Sequence, residues 1–206
     1  MTESERIICQ GHSGKHQVIL TAAQRLFLRQ GYSGTSMDAI AAEAGVAKQT
    51  VYNHFGAKED LFLAIIRGRC MHMTGLLGDE AEDGPPGEVL RRFAVRYFDL
   101  LLSDEAIALN RTLMAEIPRM PELGRMWFEA GPARARDTLA AYFERQCERG
   151  RFRMPYPKVV AEQFFGNLGG YVRLRYMAMP DAKPTPEEIE RYVDTAVETL
   201  IRAYGT

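Results

Sequence analysis

The chain has 206 residues, of which 46% are hydrophobic and 26% charged, and its formal net charge is −1. This composition excludes a disordered or fibrous protein. No apolar run reaches the roughly 18 residues of a membrane-spanning helix, and the N-terminal segment is acidic where a secretory signal is basic. We therefore expect a cytoplasmic protein without membrane contact, folded as two small domains.

The charge is unevenly distributed along the chain. Residues 1–70 contain eight Lys and Arg against six Asp and Glu, whereas residues 71–206 contain eighteen against twenty-one. The near-neutral total argues weakly against a nucleic-acid partner, because phosphate binders usually carry a basic excess. The positive N-terminal part nevertheless permits one.

The hydrophobic pattern predicts an all-α protein. Apolar residues recur at steps of three and four almost throughout, without the alternation of strands. Gly131-Pro132 predicts a kink in one long helix because Pro lacks a backbone donor, and Thr185-Pro186-Glu187-Glu188 predicts a capping box. Gly and Pro divide the pattern into about nine helices, at residues 15–30, 36–44, 47–55, 58–77, 88–102, 104–117, 121–149, 158–178 and 186–203.

Residues 31–62 are typical of a helix-turn-helix. Two short helices flank a turn at Gly45, and an apolar seam holds the second helix in place. The seam is expected to consist of Ile40, Ala41, Val46, Val51 and Tyr52. The second helix should therefore present a polar edge of the kind that reaches bases and phosphates in a major groove. The outward residues on this edge are Lys48, Gln49, Thr50, Asn53 and His54.

The same region resembles the N-terminal DNA-binding domain of the TetR/AcrR family of transcriptional regulators. The resemblance rests on the segments TAAQRLFLRQGY, GTSMDAIAAEAGV and TVYNHFGAKEDLF. It implies a three-helix DNA-binding domain over residues 1–60 and a double-stranded DNA operator as partner. Ala47 departs from the family, whose members often carry Ser or Thr there as a helix cap. The positions implied to contact DNA are Ser36, Lys48, Gln49, Thr50, Tyr52, Asn53, His54 and Lys58.

Lys58 is unusual on physical grounds as well. It opens a predicted helix, where the helix dipole favours Glu59 and Asp60 but not a cation. Contact with a DNA phosphate would explain the lysine; the alternative is a solvated side chain that costs a few tenths of a kcal/mol.

Residues 61–206 are expected to form a larger helical bundle for ligand binding and dimerisation. The segment AEIPRMPELGRMWFEAGP resembles the C-terminal domain of AefR-like members of the family. The many aromatic and Met residues of residues 61–206 either pack a core or line a cavity for a small apolar or aromatic effector. The candidate effector-binding residues are Tyr97, Asn110, Met114, Trp127, Phe128, Phe165, Asn167 and Leu168.

The last two helices are expected to join two subunits into a homodimer. Gly166, Gly169 and Gly170 are costly in a helix and call for a close approach of another segment. Two such helices from each subunit would form a four-helix bundle, as the family resemblance implies; the alternative is packing within the monomer. The final helix carries an apolar stripe made of Ile189, Val193, Ala196, Val197, Leu200 and Tyr204.

The sequence contains no enzyme signature that we could identify. A nucleophile elbow, a phosphate-binding Gly loop, an H-E-x-x-H pair and a dinucleotide fingerprint are all missing. We therefore expect no cofactor and no catalytic residue. His12 and His16 have metal-ligand spacing but no third ligand, so we also expect no metal site. The leading hypothesis is a repressor released from its operator by an effector. The alternatives are a helical carrier or enzyme without DNA binding, and a helical adaptor.

Overall fold

The computed structural model describes residues 14–77 and 84–206. Within these ranges the all-α prediction is confirmed: nine helical stretches follow one another, and the only β-type pairing is an isolated bridge between Phe152 and Gly205. No helix in the described ranges has the length and apolar character needed to cross a bilayer. The uninterrupted helices are α1 Gly14–Gln30, α2 Met37–Ala44, α3 Lys48–Phe55, α4 Lys58–Thr74 with a 3-10 turn at Gly75–Leu77, α5 Pro86–Leu101, α6 Asp104–Glu116 and α9 Pro186–Tyr204.

The seventh and eighth helices each contain a wider, π-helical turn. In α7, where the sequence predicted a kink, a π-helical segment contains Pro132, since the missing donor interrupts the regular bonding pattern. In α8 the sequence predicted an uninterrupted helix, and the π-helical turn formed by GNLGG was missed. The segments are Pro121–Phe128, Glu129–Ala133 and Arg134–Glu148 in α7, and Pro157–Phe165, Gly166–Gly170 and Tyr171–Ala178 in α8.

The described chain forms two compact units. The first contains the residues up to Met71 together with Ala108–Pro132, and the second contains His72–Ile107 with Ala133–Thr206. These units differ from a simple division after residue 60. The reason is that apolar residues of α6 and α7 complete the core around α1 to α4. They are Leu109, Leu113, Leu123 and Ala130.

The core of the first unit fixes the helix-turn-helix. Three rings pack together, with centroid distances of 5.4 Å from Tyr32 to Phe27 and to Phe62. Ile40 of α2 and Val51 of α3 have no exposed surface. Burial of these side chains holds α2 and α3 against α1 and α4, so that only one face of α3 is left to solvent.

The second unit buries the apolar stripe of its last helix. Val193, Ala196 and Leu200 are at most 5% exposed within the single chain, where α9 packs against α5. The remaining three stripe residues, Ile189, Val197 and Tyr204, are half-buried. The stripe was expected to serve as a dimer surface. That expectation is corrected for its three buried residues, because their apolar area is already covered inside the monomer.

Two further sequence predictions concern the glycines of α8 and the cap of α9. A Cβ added to Gly169 would lie 2.6 Å from Leu101 Cδ2, so the small residue is required by packing within the chain. The predicted cap of α9 is confirmed, since the backbone N–H of Glu188 donates to Thr185 Oγ1 at 3.2 Å. The cap therefore has the predicted local basis. The close approach predicted at a dimer interface is instead found at Gly169 inside the chain, and a Cβ at Gly166 or Gly170 would meet nothing within 4 Å.

Candidate nucleic-acid interface

The turn between α2 and α3 is built from local hydrogen bonds. Ser36 caps α2 by accepting from the backbone N–H of Ala39 at 3.1 Å. Gly45 adopts a left-handed conformation with φ +65°, which ends α2. The N–H of Val46 then donates to Ala41 O at 3.1 Å. These contacts leave only three residues between the two helices.

Helix α3 has one buried and one exposed face. Val51 and Phe55 point into the core and Thr50 is half-buried. Helix α3 begins at Lys48, and as expected for Ala at the preceding N-cap position, Ala47 makes no side-chain cap hydrogen bond. The exposed side, here called the reading face, consists of Lys48, Gln49, Tyr52, Asn53 and His54.

Polar contacts organise the reading face before any partner is bound. The Lys48 ammonium lies 2.7 Å from Asp38 Oδ1, and this hydrogen bond is the main cause that raises the pKa of Lys48. Gln49 Nε2 donates to Asn53 Oδ1 at 2.9 Å. Sequence reasoning missed Asp38, although its position in the first turn of α2, near the start of α3, could have suggested it.

The two histidines near this face pack against aromatic rings. His16 of α1 lies 4.4 Å from the ring of Phe55 and 5.8 Å from that of His54, centroid to centroid. His12, which has metal-ligand spacing from His16 but no expected third ligand, lies outside the described residues. Within residues 14–77 and 84–206 no group of three or more His, Cys, Asp or Glu could hold a metal ion.

Lys58 has an intramolecular role in the structure. Its ammonium donates to Tyr32 O at 2.9 Å and to Thr35 O at 3.0 Å, and it lies 4.3 Å from the centroid of the Tyr32 ring. These contacts explain a cation at the start of α4 without a phosphate. The DNA contact implied by the family resemblance stays a prediction that would use the remaining N–H.

The eight candidate effector-binding residues are divided between the two units. Asn110, Met114, Trp127 and Phe128 belong to the first unit, and Tyr97, Phe165, Asn167 and Leu168 belong to the second.

In the first unit Trp127 packs partly buried against the core, whereas Phe128 is 49% exposed and Met114 is 39% exposed. In the second unit the rings of Tyr97 and Phe165 lie 5.0 Å apart, and burial raises the pKa of Tyr97 to about 12. Leu168 is buried, but Asn167 is exposed. The structure therefore brings Tyr97 and Phe165 into direct contact, while three of the eight residues face solvent.

A surface groove of about 470 Å³ runs between α5 and α9 in the second unit. None of the eight candidate residues lines it. Sequence reasoning missed this groove because its walls come from distant parts of the chain. Its lining residues are Gly87, Arg91, Asp194, Val197, Glu198, Ile201 and Arg202.

Comparison with protein families agrees with the two-part architecture. Residues 19–65 match the model of the bacterial regulatory proteins of the tetR family. Residues 88–206, more than half of the chain, match the C-terminal domain of AefR-like transcriptional repressors. The chain belongs to the TetR family. Several proteins similar to this TetR-family chain are named as transcriptional regulators.

Among curated relatives, the transcriptional repressor AcnR of Corynebacterium diphtheriae is 27% identical, over 91% of this chain and 92% of its own. The matches to three other curated relatives cover 62% of their length or less.

Two solved structures are each 31% identical. A TetR-family protein from Mesorhizobium loti aligns over all of both chains with a TM-score of 0.78. The flavonoid-responsive regulator FrrA aligns over 93% of this chain and 97% of its own, with a TM-score of 0.72.

Proposed function

We propose that this TetR-family protein is a ligand-responsive transcriptional regulator that works in the cytoplasm as a repressor. The observation that carries the proposal is the reading face, whose polar side chains are exposed because Val51 and Phe55 anchor the opposite side of α3. Polar side chains of short and medium length on a rigid helix are suited to hydrogen bonding with base edges in a major groove.

The remaining predicted DNA contacts lie around this face. Ser36 is exposed at the start of α2, where its hydroxyl caps the helix and keeps a proton to donate to phosphate. Thr50 is half-buried beside Gln49. In this arrangement Lys48, Gln49 and Asn53 contact base edges. Ser36, Tyr52 and Lys58 contact the DNA phosphates and so orient the protein on the duplex.

We also propose a homodimer that uses the exposed side of α8. Tyr171 and Leu174 are 69% and 65% exposed, and a Cβ added to Gly166 or Gly170 would meet nothing within 4 Å. Exposed apolar side chains next to open glycines suit close packing against a second copy. A dimer would set two reading faces one helical turn of DNA apart, about 34–36 Å.

The effector is proposed to be a small aromatic compound. FrrA is flavonoid-responsive, and the proposal assigns the stacking of a planar ring to Tyr97 and Phe165, whose own rings lie 5.0 Å apart. A coupling of about 1–3 kcal/mol between effector and DNA would lower DNA affinity five- to more than a hundredfold.

Titration of labelled DNA with the purified protein tests the proposal. The probe is the fragment upstream of its own gene, and an unrelated fragment of equal length is the control. We expect preferential binding to the first fragment and a steep loss of affinity with rising salt. Addition of a flavonoid should then release the DNA. Equal binding to both fragments would contradict sequence-specific recognition, and binding that persists at every flavonoid concentration would contradict the effector class.

A further inference from the structure

The loop between α1 and α2, residues 31–36, is held by the last residue of α6. Ser33 Oγ donates to Glu116 Oε2 at 2.7 Å, and the backbone N–H of Ser33 donates to Glu116 Oε1 at 3.3 Å. Both carboxylate oxygens of Glu116 are thus engaged by one loop residue that lies 83 positions away in the sequence.

The position of Glu116 is unfavourable for a carboxylate unless it has a specific partner. It is the C-terminal residue of α6, where the helix dipole repels negative charge. The pKa of Glu116 is nevertheless lowered, first of all by the hydrogen bond from the Ser33 hydroxyl. The contact with the loop therefore gives a reason for an acid at this helix end.

The same loop is held from its other side by α4. Lys58 donates to the carbonyls of Tyr32 and Thr35, which flank Ser33 and Gly34. Space at the start of the loop is also limited, since a Cβ on Gly31 would lie 3.2 Å from Glu116 Oε1. The loop therefore lies between two charged side chains and leads directly into Ser36, the cap of α2.

The opposite end of α6 is held as well. Asp104, its first residue, accepts from Tyr176 Oη at 2.6 Å and from Lys183 Nζ at 2.7 Å, all within the second unit. Helix α6 is continuous, and a carboxylate side chain makes the holding contact at each of its two ends. Asp104 holds the helix in the second unit, and Glu116 holds the loop in the first.

We propose that Glu116 is a positioning residue for DNA recognition. By holding Ser33, it fixes the position of α2 and α3 relative to the C-terminal end of α6. A shift of α6 is then passed to the reading face through this contact. The inference rests on the proposed function. It assigns no DNA contact to Glu116 or Ser33.

Half-site spacing provides a readout that general destabilisation would not change. The probes are the operator fragment from upstream of the gene and the same fragment with one base pair inserted at its centre. With the contact intact, the insertion should weaken binding strongly, because the reading faces have fixed positions. Glu116→Ala should bind the native fragment about fivefold or more weakly and should discriminate less between the two spacings.

Ser33→Ala tests the same contact with a minimal change at an exposed position, and so covers the case in which Glu116→Ala does not fold. The single substitutions should have similar effects, and the double variant should be no worse than either. Glu122→Gln, which removes another exposed carboxylate of the first unit, is the matched control and should behave as wild type.

Wild-type affinity and unchanged spacing preference in Ser33→Ala and in any folded Glu116→Ala protein would overturn the inference, as would strictly additive effects. If the unmodified protein does not bind the operator fragment, the proposed function itself is overturned, so the two failures are distinguishable.

Discussion

Helices α3 and α8 share one layout but present opposite chemistry to solvent. Each buries an apolar face, Val51 and Phe55 in α3 and Val160, Phe164, Leu168 and Val172 in α8. The exposed side of α3 is polar, with Lys48, Gln49 and Asn53, whereas that of α8 carries Tyr171 and Leu174 beside two open glycines.

The difference indicates two kinds of partner. Exposed hydrogen bonds and ion pairs such as Lys48 to Asp38 contribute little stability, so DNA can replace them at small cost. Burial of the apolar atoms of Leu174 against another surface is instead favourable, because it removes them from water. A hydrated, charged partner therefore suits α3, and a second apolar surface suits α8.

The largest effect is expected from removal of polar groups on α3. Lys48→Ala and Tyr52→Ala should each abolish operator binding, because every substitution occurs twice in the proposed dimer. For the base-reading Lys48 the two lost contacts cost about 2–6 kcal/mol in total. Fluorescence anisotropy with the operator fragment measures the loss. Both side chains are exposed, so circular dichroism and dimerisation should be unchanged.

Lys158→Ala is the matched control for the lysine. Lys158 is 58% exposed and paired with Asp137, as Lys48 is 58% exposed and paired with Asp38. An unaltered footprint in either α3 variant would show that α3 is not the reading helix.

The next largest effect is expected from a charge on the exposed face of α8. Leu174→Glu should convert the proposed dimer into monomers, since burial of an unpaired carboxylate costs about 2–4 kcal/mol. Light scattering after gel filtration at micromolar concentration measures the mass. Val95→Glu places the same charge on an exposed apolar position of α5 and should leave the dimer intact. A dimeric Leu174→Glu protein would remove α8 from the interface.

The sequence was most informative where the deciding interactions are local. The Gly45 turn, the Thr185 cap and the disturbance at Pro132 each depend on a few neighbouring residues, so residue type and spacing were sufficient. Most of the reading face followed from the same logic, because the period of α3 separates Val51 and Phe55 from the polar positions. Thr50, predicted to point outward, is half-buried, and Tyr52, predicted in the apolar seam, is exposed.

Features that depend on tertiary packing could not be predicted in this way. The stripe on α9 has the period of any buried helix face, and only the position of α5 shows that Val193 and Leu200 pack inside the monomer. Lys58 was interpreted without its carbonyl partners in the loop that precedes α2. The contact of Ser33 with Glu116 spans 83 positions and leaves no local signal.

A smaller effect is expected on the buried side of α8. Gly169→Ala brings a methyl group to 2.6 Å from Leu101 Cδ2 and 3.1 Å from Tyr97 Cε1. It should lower the free energy of unfolding by about 1–3 kcal/mol, seen as a lower urea midpoint. Gly68→Ala in α4 meets nothing within 4 Å and should instead stabilise the protein. Equal stability of the two variants would show that α5 and α8 do not pack this closely.

The smallest effect is expected at Asp38, which tests why the reading face carries an acid. Its carboxylate partly neutralises Lys48 in the free protein and would repel the phosphates of any DNA. Asp38→Asn should therefore strengthen binding to unrelated DNA by less than about 1 kcal/mol, and should steepen the plot of log affinity against log salt by about 0.9. The same titration with Glu122→Gln controls for the general loss of one negative charge. If both variants change the salt dependence equally, Asp38 acts only through net charge; if Asp38→Asn alone does so, its contact with Lys48 limits binding to DNA of the wrong sequence.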